Sequence, residues 1–232
     1  MDTTELKLLK AWGVYEPQGD SYLLKGALAK AAVPQGADAL DVCTGTGLIA
    51  MTAARLGAHR VRAVDSSYRA VVTARCNARL NRLSVRVEHG DFRTSQAARH
   101  RYDVVTANPP YIPTPVSADT ERGRSRAWNA GPDGRRYLDR LCAMAPQLLT
   151  DHGMMLLVHS VLCAPEKTLR LLGEAGLKAS IVARRRQPFG PVLTARAAWL
   201  IDQGLISQGQ TEEELVVIRA DRAGPVSDAH DT

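Results

Sequence analysis

Apolar residues along this chain fall into two spacings. Ala39–Val42, Val61–Val64, Val85–Val87, Tyr102–Ala107 and Met154–His159 are short apolar runs, the mark of strands buried on both faces. Between them, Ser21–Ala32, Leu48–Leu56, Ser67–Leu80, Gly134–Leu149 and Glu166–Gly173 place apolar residues on one helical face. Lys178–Ala183 and Glu214–Arg219 add two more strands, and Gly190–Gly209 reads as an extra helix before the last of them. Leu6–Trp12 reads as a short helix or cover, and Asp20 or Ser21 as the cap of the helix that follows. Ile112–Asn129, rich in Pro, Ser and Arg, predicts an irregular loop, and Ala220–Thr232 a disordered tail. Strands alternating with helices predict an α/β fold with a mostly parallel sheet and helices on both faces.

Length and composition narrow the class. A chain of 232 residues suits one α/β domain with a full core, here residues 1–219 with the tail at 220–232. No apolar run approaches the ~18 residues of a membrane helix, and Met1–Glu5 has neither the charge nor the apolar core of a signal peptide. Cys43, Cys76, Cys142 and Cys163 are widely spaced without a C-x-x-C pair, so reduced thiols in a cytoplasmic protein are expected. The histidines show no ligand spacing, and no metal site is expected. The net charge is +6, and 24 of the 30 basic residues are arginine. A GC-rich coding bias or an acidic or nucleic-acid partner would each account for that. Arg122, Arg124, Arg126, Arg135 and Arg136 lie in the loop and helix start just after Asn108-Pro109-Pro110-Tyr111, where a substrate should sit, and Arg184–Arg186 precede the extra helix. Arg75, Arg79 and Arg82 read as a solvated helix face.

The chemistry concentrates at the ends of the apolar runs. Tyr102–Ala107 stops abruptly in Asn108-Pro109-Pro110-Tyr111. Two prolines remove two backbone donors, so the carbonyls before and between them stay available. With the Asn108 side-chain carbonyl they can accept both hydrogens of a planar –NH2 group, and the tyrosine ring can cover its plane. Upstream, the strand Ala39–Val42 runs into Cys43-Thr44-Gly45-Thr46-Gly47 and then a helix, an arrangement that cradles nucleotides. The next strand ends at Asp65, which can accept both hydroxyls of a ribose. Asp91 and Phe92 follow the third strand.

Two cofactors fit this pattern. Gly45-Thr46-Gly47-Leu48-Ile49-Ala50 satisfies the dinucleotide fingerprint, with Asp65 at a suitable distance. Asp41 at the mouth of the turn argues against it, because a pyrophosphate would be repelled there. A sulfonium with a cationic amino group would not, so S-adenosylmethionine (SAM) fits better than NAD.

Asp41, Asp65, Asp91 and Asn108 at successive strand ends resemble the motifs of class I SAM-dependent methyltransferases whose fourth motif is Asn-Pro-Pro-Tyr. Within that group the chain is similar to the HemK family of protein-glutamine methyltransferases, most of all its compact eukaryotic and archaeal-type branch. The resemblance runs from about Val14 to Leu172. Val14-Tyr15-Glu16-Pro17-Gln18-Gly19-Asp20-Ser21 resembles the family's leading motif, and Ala127-Trp128-Asn129-Ala130-Gly131-Pro132-Asp133-Gly134-Arg135 a later one, followed by a shared Asp139-Arg140. Cys43 replaces the first glycine of the family's loop, Gly19 replaces a glutamate, and Ser21 stands for threonine. The Gly190–Gly209 helix stands where the compact branch has a short loop, which puts the substrate in question more than the chemistry. Only residues 1–13 precede the leading motif, so the substrate-binding domain of the larger bacterial enzymes is not expected.

The resemblance implies a Rossmann-like sheet of seven strands with the last antiparallel. It implies SAM held by Ser21 at the carboxylate, Asp41 near the methionine end, and Cys43, Gly45 and Gly47 beneath. Asp65 would take the ribose, Asp91 and Phe92 the adenine, and Asn108 would touch the cofactor too. Asn108, Pro109 and Tyr111 would be catalytic, with Pro110 and Trp128 on the substrate side. The implied reaction is methylation of a protein glutamine, in a peptide-chain release factor, with a small zinc-binding activator subunit as a partner in this branch. Two alternatives remain open at this level: the exocyclic amine of adenine or guanine in RNA or DNA, and a small-molecule amide. A non-catalytic SAM-fold subunit is a fourth reading.

Overall fold

The computed structural model describes residues 5–115 and 127–223. Seven strands make one sheet: β1 (Asp38–Val42), β2 (Arg60–Asp65), β3 (Val85–His89), β4 (Tyr102–Ala107), β5 (Leu149–Ser160), β6 (Leu177–Pro188) and β7 (Glu212–Arg222). Their spatial order is β3-β2-β1-β4-β5-β7-β6. The pairs from β3 through β5 are parallel, and β7 runs antiparallel between β5 and β6. The chain turns outward in both directions from β1 and β4, so their carboxyl ends flank the crevice where α/β sheets bind ligands.

Six helices cover the sheet: α1 (Gly19–Lys30), α2 (Leu48–Arg55), α3 (Tyr68–Leu80), α4 (Leu138–Leu148), α5 (Pro165–Glu174) and α6 (Pro191–Asp202). Successive strand residues point to opposite faces, which divides the core in two. Ala39, Ala63, Val104 and Leu156 pack with Leu24, Leu28, Met51 and Val71 on one face. Leu40, Val64, Val105 and Leu157 pack with Leu138, Leu141, Leu148 and Leu172 on the other. No helix among the described residues is long and apolar enough to cross a membrane.

Several boundaries differ from the sequence reading. The stretch Leu6–Trp12 is cover and not helix: residues 5–11 run without regular structure along α3. Asn77 and Asn81, one turn apart, hold it: Leu9 N–H donates to Asn77 Oδ1 at 2.7 Å and Lys7 N–H to Asn81 Oδ1 at 3.0 Å. The same two amides donate back to the Leu9 and Lys7 carbonyls. Helix α1 starts at Gly19 with Gln18 at its cap, so Asp20 and Ser21 lie inside the first turn and neither caps it. α4 starts at Leu138, because Gly134–Tyr137 form a turn that fits only glycine at its head. Gly134 has φ +70°, and a Cβ there would strike the Tyr111 carbonyl and approach Cys163 Sγ to 2.7 Å. β6 and β7 are longer than their apolar runs, since β6 is the edge strand and its outer end exposes all of Arg184–Arg186 to solvent. β7 therefore continues through Ala220–Arg222, into the segment read as tail, and residues 224–232 lie outside the described residues. Helix α6 occupies the first part of the Gly190–Gly209 stretch.

Candidate active site

A cavity of ≈ 360 Å³ opens at the carboxyl ends of β1, β2 and β4. It is lined by Ser21, Asp41, Cys43, Gly45, Asp65, Asp91, Phe92, Asn108, Pro109, Pro110, Tyr111 and Trp128, so these sequence-predicted residues converge on one space. Gly47 is set one step back. Its φ is +83°, and a Cβ would lie 3.1 Å from the Ala74 Cβ, so its bare backbone lets α2 start tight against α3. Cys43 holds φ +58°, the left-handed conformation that its lost glycine would take without strain. The turn tolerates it, and burial raises the thiol well above its ordinary pKa, which keeps it neutral.

Two carboxylates are built in from below. Asp41 and Thr106 are partners across the β1/β4 pair. The Thr106 hydroxyl donates to Asp41 Oδ1 at 2.8 Å and the Thr44 hydroxyl to Oδ2 at 2.6 Å. Burial pushes the Asp41 carboxyl from 3.8 up to about 6, against the pull of those two hydroxyls. Asp65, at the end of β2, accepts the Gly45 N–H on Oδ2 at 2.9 Å and the Ser67 N–H on Oδ1 at 2.8 Å. The carboxylate thereby pins the glycine turn and the start of α3, and each oxygen keeps a lone pair for a ligand hydroxyl. Asp91 is more exposed, and its pairing with the Arg93 side chain holds its carboxyl below the ordinary range.

Asn108 is fixed from the side. Its amino group donates to Ser21 Oγ at 3.3 Å, which leaves the side-chain oxygen as an acceptor. The Ser21 hydroxyl in turn donates to Asp20 Oδ1 at 3.1 Å. Ser21 is thus engaged on both sides, and in this structure it orients Asn108. Asp20 Oδ2 accepts the Tyr15 hydroxyl at 2.9 Å and the Tyr111 hydroxyl at 3.1 Å. Burial raises both phenols above their ordinary pKa, so they remain donors. One carboxylate therefore ties the leading motif to the Asn108–Tyr111 turn.

Asp20 was legible only as a possible cap, because an acid at a helix start ordinarily complements the helix dipole. The one further hint was Tyr15 beside it in the same motif. Replacing Asp20 by Ala removes the acceptor of two phenols and of the Ser21 hydroxyl. The expected loss is about 2–4 kcal/mol of stability in urea unfolding, with Asp20→Asn in between. Unchanged stability in Asp20→Ala would remove this network from the site.

The basic residues sort unexpectedly. Arg135 is 3 % exposed and braces the fold. It pairs with Asp139 at 2.7 Å and donates to Thr168 Oγ1 and to the Cys163 and Ala164 carbonyls, so it is unavailable to a substrate. Arg75 and Arg79 on α3, and Arg82 just after it, are exposed, as a solvated helix face requires, with Arg75 also donating to the Val87 carbonyl. Arg136 and Arg140 line the cavity. Arg122, Arg124 and Arg126 lie outside the described residues. Among the described residues no group of three or more His, Cys, Asp and Glu could hold a metal ion.

A doubly wound sheet with acids at or just after the ends of β1, β2 and β3, and Asn-Pro-Pro-Tyr after β4, is the arrangement of those class I methyltransferases whose fourth motif is Asn-Pro-Pro-Tyr. The model of the Methyltransferase small domain family matches residues 14–120. MJ0928 of Methanocaldococcus jannaschii, assigned as a protein N5-glutamine methyltransferase, is 33 % identical over 79 % of this chain and 91 % of its own. Mouse methyltransferase HEMK2 is 32 % identical over 75 % of this chain and 84 % of its own. Among solved structures, the Mtq2-Trm112 complex of E. cuniculi, responsible for methylation of the translation termination factor eRF1, aligns with TM-score 0.62. That alignment covers 91 % of this chain and 99 % of that one at 22 % identity, and shows the fold. The chain belongs to the HemK-type methyltransferase family and is a methyltransferase.

Proposed function

We propose that this enzyme transfers a methyl group from SAM to the side-chain amide nitrogen of a protein glutamine, with a peptide-chain release factor as the acceptor. The carrying observation is the orientation of Asn108. With its amino group on Ser21, its side-chain oxygen is left to accept, Asn108 and Pro109 both line the cavity, and neither proline offers a competing donor. A primary amide has two N–H bonds to give, and this turn has two acceptors to take them. The assignment of MJ0928 and the eRF1 methylation ascribed to Mtq2 support the same reading.

The residues present fit SAM. Asp41, buried and bonded by two threonines, would face the cationic amino group and sulfonium. The Gly45 backbone would lie beneath the cofactor, Asp65 would take the ribose hydroxyls, and Phe92 with Asp91 would border the adenine. Bound SAM supplies an electrophilic methyl group. The chain's own task is to aim a poor nucleophile, since the amide lone pair is delocalised into its carbonyl. Asn108 Oδ1 and the Pro109 carbonyl hold both hydrogens, which directs the lone pair and eases pyramidalisation at nitrogen. Tyr111, its hydroxyl fixed on Asp20, walls that position and excludes water. Positioning of this kind supplies much of the rate, and no strong base is required before attack.

Incubation of the purified protein with labelled SAM and the cell's own release factor tests the reading. Label mapped by mass spectrometry to a glutamine is the expected result. Label in lysate that survives protease but not nuclease would overturn it in favour of a nucleobase amine. Transfer that begins only when a small partner protein is added would keep the glutamine reading and show that an activator of the Trm112 kind is needed.

A further inference from the structure

Helix α6 fills the stretch that departs most from the compact pattern, and it does not hang free. Leu193, Leu200 and Ile206 form a small core of their own, packed against Ile112, Leu162 and Phe189. Ile112 is the residue that follows the Asn108–Tyr111 turn. The excursion is closed at its base, where Phe189 N–H donates to the Thr211 carbonyl at 2.8 Å.

From this helix Arg196 reaches to both sides of one neck of chain. Its guanidinium donates to the Pro113 carbonyl at 2.8 Å and to Asn129 Oδ1 at 2.6 Å. Pro113 and Asn129 are both buried. Ile112 and Asn129 already form an isolated parallel bridge. Ile112 N–H donates to the Trp128 carbonyl at 2.7 Å and Ala130 N–H to the Ile112 carbonyl at 3.0 Å. One strand of this neck leads out of the catalytic turn, and the other carries Trp128, which lines the cavity. A planar fork with several donors suits this cross-link, because it can satisfy two acceptors on separate segments at once.

We propose that Arg196, carried by α6, is a positioning residue that staples the acceptor side of the active site, fixing Trp128 against the Asn108–Tyr111 turn and so setting how tightly the methyl acceptor binds. It acts through Pro113 and Asn129 and belongs to neither the cofactor cradle nor the reacting atoms. The proposal rests on the glutamine reading only for the identity of the acceptor.

The test compares wild type, Arg196→Ala and Arg196→Lys. Hydrogen exchange followed by mass spectrometry reads the Ile112 and Ala130 amides, and calorimetry reads SAM affinity. Steady-state transfer from labelled SAM to the release factor reads KM and kcat. Arg196→Ala is expected to exchange faster at the neck and to raise the acceptor KM about tenfold, because two buried acceptors lose a charged donor. SAM affinity and exchange in the peptide covering β1 and the glycine turn should stay within about twofold of wild type, since α6 packs against Ile112, Leu162 and Phe189. Arg196→Lys, able to hold one acceptor at a time, should recover part of both effects. Unchanged neck exchange would overturn the proposal, as would a fall in SAM affinity equal to the rise in KM, the sign of a merely structural role. If wild type leaves the release factor unlabelled, the glutamine reading fails, and the exchange measurement alone decides for or against the staple.

Discussion

Asn108→Ala is expected to lower kcat by about 10²–10³-fold, the scale seen when one preorganised polar group is removed from an active site. SAM affinity should stay within a few-fold, because Asp41, Asp65 and the glycine turn are untouched. The physical reason is that an amide nitrogen gains nucleophilic character only while both of its N–H bonds are held. With Asn108 gone, the Pro109 carbonyl holds one and water competes for the other. The substitution leaves the Ser21 hydroxyl on Asp20, so the Asp20–Tyr111 tie survives and the fold should melt within about 1 kcal/mol of wild type. Asn108→Asp is informative beside it. It keeps the oxygen but removes the donor to Ser21 and places a carboxylate there, so its activity should also be low. Single-turnover transfer from labelled SAM, with calorimetry for cofactor binding, checks both variants. Full activity in Asn108→Ala would show that the turn does not grip the acceptor as argued.

Asp41→Asn should do two opposite things. Burial raises the Asp41 carboxyl from 3.8 to about 6, so in the unliganded protein the fold prefers its protonated form. That contribution to stability is complete below the unfolded value of 3.8 and is lost as pH rises through about 6. At pH 8 the ionised carboxylate then costs the apo-protein up to about 3 kcal/mol, from the size of the shift. Asparagine carries no charge, so Asp41→Asn should melt higher than wild type at pH 8, with the difference closing at pH 4. Ligand binding should move the other way. A cationic ligand is matched by the ionised carboxylate, so wild-type SAM affinity should rise with pH through about 6 and level off above it. Asp41→Asn should bind at least about tenfold more weakly and without that pH step, a charge-assisted contact having been lost. Differential scanning calorimetry with and without SAM from pH 4 to 8 reads both effects in one series. A variant that bound as tightly as wild type would take Asp41 out of the cofactor site.

Asp41 and Asp20 make an instructive contrast. Asp41 is destabilising for the empty fold and favourable once a cation arrives, and Asp20 is the reverse, a carboxylate wholly used by its own protein. Both are buried, at 3 % exposure each. What separates them is their side-chain donors: Asp41 has two threonine hydroxyls, whereas Asp20 gathers two phenols and a serine hydroxyl.

Much of the cradle could be read from the sequence, because strand ends in a doubly wound sheet place consecutive motifs on one rim. Asp41, Asp65, Asp91 and Asn108 each follow or close an apolar run, and a parallel sheet with right-handed crossovers leaves little freedom about where such positions meet. Arg135 was misread for an equally physical reason. A basic residue near a catalytic motif looks like a substrate contact until its partners are known, and Asp139, Thr168 and two carbonyls belong to three different segments. The cover formed by residues 5–11 could be read only as helix or cover, since its partners are the side chains of two asparagines on a distant helix.

The chain's own pattern thus determined the element order, the parallel sheet and which acids line the cavity, because hydrophobic period and strand-end chemistry are local properties. Tertiary structure alone decided which way each polar group is committed. It turned Asp20 from a helix cap into the tie between two tyrosines, Ser21 into the guide of Asn108, and Arg196 into a cross-link between Pro113 and Asn129. Those roles depend on donors and acceptors far apart in sequence, within hydrogen-bond reach only after the sheet and its helices have closed.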